Sequence, residues 1–304
     1  MPRAIAFFTY GSPDVLETIE IVEPHAHARQ VRVRVQAAGV NPVDCRLRRG
    51  EFAGRVPVRF PQRLGNEFAG VVDQVGENVA GFVVGSEVLG FTVAQAYAEV
   101  VVASTDQIVA KPANVPWEVA GGLSAVGQMA FNALEQLGIT SGETLLIHAA
   151  AGGVGTVAVQ LARQRGATVI GTASEGNHAY IRSLGAIPVT YGNGLVDRVR
   201  ALAPDGVDAA LDAIGGEAIP ASVALVPDKD RIGTTVDAEA AAKYGVRRLV
   251  GARSTETLAK LVNLYAQGKL SLPIHRIFPL TEAVRAHREV ETGRVRGKVI
   301  LTVG

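Results

Sequence analysis

Apolar and polar positions divide the chain into two textures. Up to Pro112 and Pro116 the apolar residues alternate or run in short stretches, at Ala4–Thr9, Gln30–Ala38, Gly70–Gly76 and Tyr97–Ala103. Turn-forming Gly11-Ser12-Pro13, Gly39-Val40-Asn41-Pro42 and Gly76-Glu77-Asn78 separate them. Short half-buried strands joined by turns are expected there. From Trp117 onward strand and helix patterns alternate. The strands fall at Thr144–Ala149, Ala167–Ala173, Ile187–Tyr191, Val207–Ala213, Arg231–Val236 and Arg247–Arg253. Such alternation builds a parallel sheet with crossover helices, and six strands complete a doubly wound α/β sheet. A helix at Thr255–Gln267, a strand at Ile274–Pro279, a helix near Leu280–Thr292 and a strand at Lys298–Val303 are left over. They have no place in the finished sheet, so they should pack back on the N-terminal β-rich region. The expected domains are 1–114 and 253–304 together, with 115–252 inserted between them.

Within the inserted domain, Thr144-Leu145-Leu146-Ile147 runs through His148-Ala149-Ala150-Ala151-Gly152-Gly153-Val154-Gly155 into an apolar helical pattern from Val157 to Ala162. Strand, small-residue turn and helix form the opening unit of a dinucleotide-binding Rossmann fold. Ala150, Gly152 and Gly155 occupy the three spaced positions of its glycine fingerprint. With Gly153 and Val154 they would bring backbone N–H groups and a helix N-terminus to a pyrophosphate. The second strand ends at Ala173-Ser174, where an NAD site usually has an acid for the ribose hydroxyl. Missing that acid, the site favours NADP(H), with Ser174, His178 and Tyr191 as candidate donors to the 2′-phosphate. Glu175 is an objection unless it points away. Ser174 also reads as a plain helix N-cap, and His178 as a surface histidine.

Composition removes other classes. Thirty basic and 29 acidic residues give net charge +1, so neither nucleic acid nor a membrane surface is an expected partner. Cys45 is the single cysteine, which excludes an intrachain disulfide and a multi-thiolate zinc site. No charged-then-apolar leader and no 18-residue apolar run is seen, so a cytoplasmic protein is expected.

The chain resembles the zinc-independent medium-chain reductases of the quinone oxidoreductase, or zeta-crystallin-like, group. The resemblance is carried by Gly11-Ser12-Pro13-Asp14-Val15-Leu16, Ala38-Gly39-Val40-Asn41-Pro42-Val43-Asp44, Gly65-Asn66-Glu67-Phe68-Ala69-Gly70 and Tyr97-Ala98-Glu99. The glycine turn, Leu211-Asp212-Ala213-Ile214-Gly215-Gly216 and Gly297-Lys298-Val299-Ile300-Leu301 complete the set. It implies a GroES-like catalytic domain carrying an inserted Rossmann domain, bound NADPH, reduction of quinones or conjugated carbonyls, and a homodimer.

Zinc-dependent relatives place cysteine and histidine where this chain has Asn41 and Asn66. Carboxamides are poor zinc ligands, so no metal is expected. Without a Lewis acid the acceptor must already be electrophilic. Asn41 would donate to the developing oxyanion or fix the nicotinamide ribose, and Asp44 would orient that network or pass a proton through water. Taken alone, Asn41-Pro42 is a turn signal and Asp44 a helix-start charge. Tyr97 reads as packing. Lys298 reads either as a cofactor contact or as a solvated charge beside Arg294 and Arg296. Arg46 and Met129 stand where relatives carry tyrosine and threonine, and with Asn66 they would line the substrate pocket. An enoyl-thioester reductase is the nearest alternative, with Arg46, Arg48 and Arg49 as its anionic-ligand patch. A non-catalytic NADPH-binding redox sensor is the other.

Overall fold

A computed structural model describes residues 1–304. In chain order the first part carries β1 (Arg3–Phe7), β2 (Leu16–Glu20), β3 (Gln30–Val40), α1 (Pro42–Arg48), β4 (Gln62–Arg63), β5 (Glu67–Val75), β6 (Glu87–Phe91), β7 (Val100–Ser104) and β8 (Ile108–Ala110). Helix α2 (Trp117–Gln136) follows, then β9 (Thr144–Ile147), α3 (Gly153–Gln164), β10 (Thr168–Thr172), α4 (His178–Ser183), β11 (Ile187–Val189) and α5 (Leu195–Leu202). The chain continues through β12 (Ala209–Asp212), α6 (Ala218–Leu225), β13 (Ile232–Thr234), α7 (Ala238–Tyr244) and β14 (Arg247–Arg248). It closes with α8 (Thr255–Ala266), β15 (Ile274–Pro279), α9 (Ala283–Glu291) and β16 (Lys298–Thr302).

Two compact units result, Met1–Ala125 with Arg253–Gly304, and Val126–Ala252. The first crossing falls at 125/126 rather than after residue 114, because α2 is one unbroken helix. Its first half carries Gly121 and Gly122, which allow it to lie on β3 and β16. A Cβ on Gly121 would sit 2.7 Å from the Ala37 carbonyl oxygen, and one on Gly122 2.7 Å from Ile300 Cδ1. The larger unit is β-rich, with a seven-stranded sheet and a three-stranded sheet in the order β2-β1-β4. β16 pairs antiparallel with β3, from Val299 opposite Val40 to Thr302 opposite Ala37. The leftover tail thus does return to the N-terminal sheet. Four strands escaped the pattern reading: β2, the two-residue β4, β6 and the three-residue β8.

The inserted unit is a six-stranded, all-parallel sheet in the order β11-β10-β9-β12-β13-β14. All six expected strands form, each shorter than its apolar run. This is the doubly wound Rossmann order, whose strand sequence reverses between β9 and β12. Leu146, Ile170, Val199, Val207, Ala210 and Ile232 share one buried cluster of that unit. No helix of the chain is long and apolar enough to cross a membrane.

The close approach of α3 to β9 decides what the glycine turn tolerates. A Cβ on Gly155 would lie 2.3 Å from the Ala149 carbonyl oxygen and 2.6 Å from Ala150 Cα, both backbone. On Gly152 it would meet only the Ala149 oxygen, at 3.3 Å. Gly155→Ala should therefore lower unfolding free energy by about 1–3 kcal/mol in urea titration, and Gly152→Ala by clearly less. Equal costs would contradict this packing.

Candidate active site

The turn between β9 and α3 is built to expose backbone donors. Ala149 adopts φ +55°, a left-handed conformation uncommon for a residue with a side chain. Its N–H goes to Thr172 Oγ1 (3.1 Å), and the Ala150 N–H to the Thr172 carbonyl (3.0 Å). Gly171 leaves room for this, since a Cβ there would be 2.7 Å from Ala150 Cβ. Gly152 caps α3, and the first i→i−4 bond is Thr156 N–H to the Gly152 carbonyl (2.8 Å). The N–H groups of Gly153, Val154 and Gly155 then precede any helical acceptor, at the positive end of the helix. Next to this strand, Asp212 is fully buried at the end of β12. Its Oδ1 accepts the N–H groups of Ile214 and Gly215, both at 2.8 Å, and shapes the following loop. His148 is buried and donates through Nε2 to Ser222 Oγ (3.0 Å), whose own hydroxyl proton goes to the Ala218 carbonyl. Burial lowers its pKa to about 4, against the pull of Asp212, so it is neutral at pH 7.

Beyond β10, Ala173 is buried and Ser174 exposed. Ser174 Oγ accepts from Asn177 Nδ2 (3.2 Å), and His178 Nε2 lies 3.4 Å from Thr190 Oγ1. Tyr191 is exposed, and the turn that carries it is wrapped by Arg198, whose NH2 reaches the Thr190 carbonyl at 2.8 Å.

The β-rich unit holds a separate polar cluster around Asn41, at the end of β3. Lys298 Nζ donates to Asn41 Oδ1 (2.7 Å), Glu67 Oε1 (2.8 Å) and the Val40 carbonyl (3.1 Å). Asn41 Nδ2 donates to Glu67 Oε1 (2.9 Å) and faces the Gly39 carbonyl at 3.4 Å. Glu67 Oε2 accepts the Ala125 N–H (2.6 Å). Lys298 is 2 % exposed, so it is not the solvated charge that its arginine neighbours suggested. Glu67, present in the sequence only as part of the Gly65–Gly70 motif and given no role there, is the anion that accounts for its burial.

Two family descriptions match the chain, "Alcohol dehydrogenase GroES-like domain" over residues 27–172 and "Zinc-binding dehydrogenase" over 184–301. The quinone oxidoreductase of Pseudomonas aeruginosa is 31% identical, over 99% of this chain and 99% of its own length. The chain belongs to the zinc-independent quinone oxidoreductase group of the medium-chain reductases. The structure of Escherichia coli quinone oxidoreductase complexed with NADPH is similar at TM-score 0.87 and 25% identity, covering 99% of each chain. The spectinabilin polyketide synthase system protein NorB of Streptomyces orinoci is 35% identical over 90% of this chain, which spans only 13% of NorB. Members of the family bind nicotinamide cofactors.

The word zinc in one matching description does not fit the residues of this chain. The carboxamides of Asn41 and Asn66 are poor ligands and are already bonded to Lys298, Glu67 and Asp44. Cys45 Sγ sits 3.5 Å from His287 Nδ1, where burial pushes its thiol up. His287 is itself lowered to about 3 by burial and the adjacent Arg48 guanidinium. Arg46 and Arg48 of α1 and Arg49 just after it form no open patch. Arg48 is fully buried, bonded to the Gly11 carbonyl (3.1 Å) and to Glu291, while Arg46 and Arg49 each pair with Glu51 at 2.6 and 2.7 Å. Met129 packs in the other unit, where a Cβ on Gly251 would be 2.9 Å from its terminal methyl.

Asp44 is the hub beneath Asn41. Oδ2 accepts the Asn41 backbone N–H (2.9 Å), forming a capping box on α1, and the Tyr97 hydroxyl (3.0 Å); Oδ1 accepts Asn66 Nδ2 (2.7 Å). Tyr97 lies in the bend before β7 rather than in the strand expected from residue 97, and it is more than packing. Complete burial pushes the Asp44 carboxyl up to about 6 from 3.8, although hydrogen bonds from Asn41 and Tyr97 oppose the shift. With the folded value above the unfolded one, the folded protein binds the proton more tightly. This group's contribution to stability is therefore largest below pH 3.8 and is lost as pH rises toward 6. Measured against Asp44→Asn by urea titration, wild type should lose on the order of 2–3 kcal/mol between about pH 4 and pH 6.5. A pH-independent difference would show that Asp44 titrates normally.

Proposed function

We propose that this chain transfers hydride from NADPH to quinones or α,β-unsaturated carbonyls. The observation that carries the reading is the Asn41 cluster: an amide, backed by a buried ammonium, stands where metal-dependent relatives are expected to keep a ligand. An amide donor stabilises a developing oxyanion less than a metal cation would, so acceptors that delocalise the charge are favoured. Choice of NADPH over NADH rests on Ala173 and Ser174 just beyond β10, where an NAD site usually has its acid; the exposed Glu175 comes only after them. Similarity to an oxidoreductase solved with NADPH supports it.

The backbone N–H groups of Gly153, Val154 and Gly155 would hold the pyrophosphate, and Ser174, His178 and Tyr191 the 2′-phosphate. When bound, NADPH supplies the hydride. Asn41 donates an amide N–H to the acceptor oxygen as negative charge gathers there. Asp44 holds the Asn41 backbone and Asn66; with all three of its bonds made inside the protein, it acts by positioning rather than as a proton shuttle. Arg46 and Arg49 share the single carboxylate of Glu51 and Arg48 is buried against Glu291, so only one net positive charge remains here for the phosphates of a thioester substrate. A homodimer belongs to this proposal: β14 is one of the two unpaired edges of its sheet, the other being β11, and a second copy would add at β14.

NADPH oxidation with 9,10-phenanthrenequinone, 1,4-benzoquinone and a 2-enal should be acceptor-dependent and much faster than with NADH. Tight NADPH binding without such oxidation would instead indicate a sensor, and a strong preference for crotonoyl-coenzyme A an enoyl-thioester reductase. Asn41→Ala should lower kcat at least tenfold, an effect of about 1.4 kcal/mol or more on the barrier, with NADPH affinity nearly unchanged. Parallel loss of both would contradict its role on the acceptor.

A further inference from the structure

Glu67 and Lys298 together determine how the Asn41 amide faces. Lys298 Nζ occupies Asn41 Oδ1, and Glu67 Oε1 occupies one N–H. A flipped amide would set N–H groups against an ammonium and a carbonyl oxygen against a carboxylate, so charge permits one orientation. The second N–H has only the Gly39 carbonyl at 3.4 Å, near the outer limit for a hydrogen bond. Glu67 is itself fixed. Its Oε2 holds the Ala125 N–H in α2, and Gly39 alone leaves it room, because a Cβ there would lie 2.2 Å from Oε1. The three protons of Lys298 are all used inside the cluster, so it has none to give a nucleotide unless a bond here breaks.

We propose that Glu67 is a positioning residue for the reduction: with Lys298 it locks the Asn41 amide so that the weakly held N–H is presented to the acceptor oxygen. Lys298, drawing on Oδ1, makes that N–H a stronger donor. Both residues act through Asn41. The inference rests on the functional reading above.

Removing one charge strands the other in the interior, whereas removing both with similar volumes is often tolerated. The test is therefore Glu67→Gln/Lys298→Met, with Glu67→Gln as a second variant that keeps volume and an acceptor oxygen. Both should retain NADPH affinity within about threefold while kcat falls on the order of tenfold to a hundredfold. A readout independent of turnover is the pair of Asn41 side-chain amide signals in 15N–1H spectra, identified by their loss in Asn41→Ala. They should shift and exchange faster in both variants. Unchanged kcat, or amide signals that stay put in a folded variant, would overturn the proposal. Wild type without NADPH oxidation would overturn the functional reading instead, and the amide signals would still decide whether the pair holds Asn41.

Discussion

The ion pair of Lys298 and Glu67, 2 % and 0 % exposed, is the constraint on which the β-rich unit is arranged. Burying two charges is costly unless every donor and acceptor finds a partner. Here the carboxylate accepts from Lys298, Asn41 and Ala125, and the ammonium gives all three protons. To meet these demands the chain brings together the ends of β3, β5 and β16 and the first half of α2. That requirement gives the return segment a purpose beyond covering a sheet edge, since β16 carries Lys298 back to β3.

Close backbone approaches make this geometry available. Gly39 admits the Glu67 carboxylate, and Gly121 lets α2 lie on Ala37. Asp44 then extends the cluster downward to Tyr97 and Asn66. Tyr97 stands edge-on to the His287 ring (5.9 Å, 84°), and Arg48 ties α1 to α9. A polar chain therefore runs from the N-terminus of α1 to α9, and its interior position lets few alternative packings compete.

What was legible in the sequence was local or periodic. Alternating strands and helices revealed the doubly wound sheet, and the small-residue turn revealed α3 and its donors, because both depend on neighbours in sequence. The leftover tail disclosed the return to the first sheet by elimination. Strands such as β4 and β8 are too short for periodicity to register. Glu67, Lys298 and Arg48 were opaque for a different reason: a charged residue normally signals solvent, and only its distant partner shows that it is buried. The pairing of Glu67 with Lys298 spans 231 positions. Asn41 and Asp44 were found through their motif, yet which of their atoms remain on offer emerged only from the partners of each.

Neutron diffraction from crystals exchanged into deuterium oxide tests the account at its centre. It should show a fully deuterated ammonium on Lys298, the Asn41 carbonyl oxygen facing it, and the Asn41 ND2 group facing Glu67. A neutral Lys298 amine, or an Asn41 amide turned the other way, would contradict it.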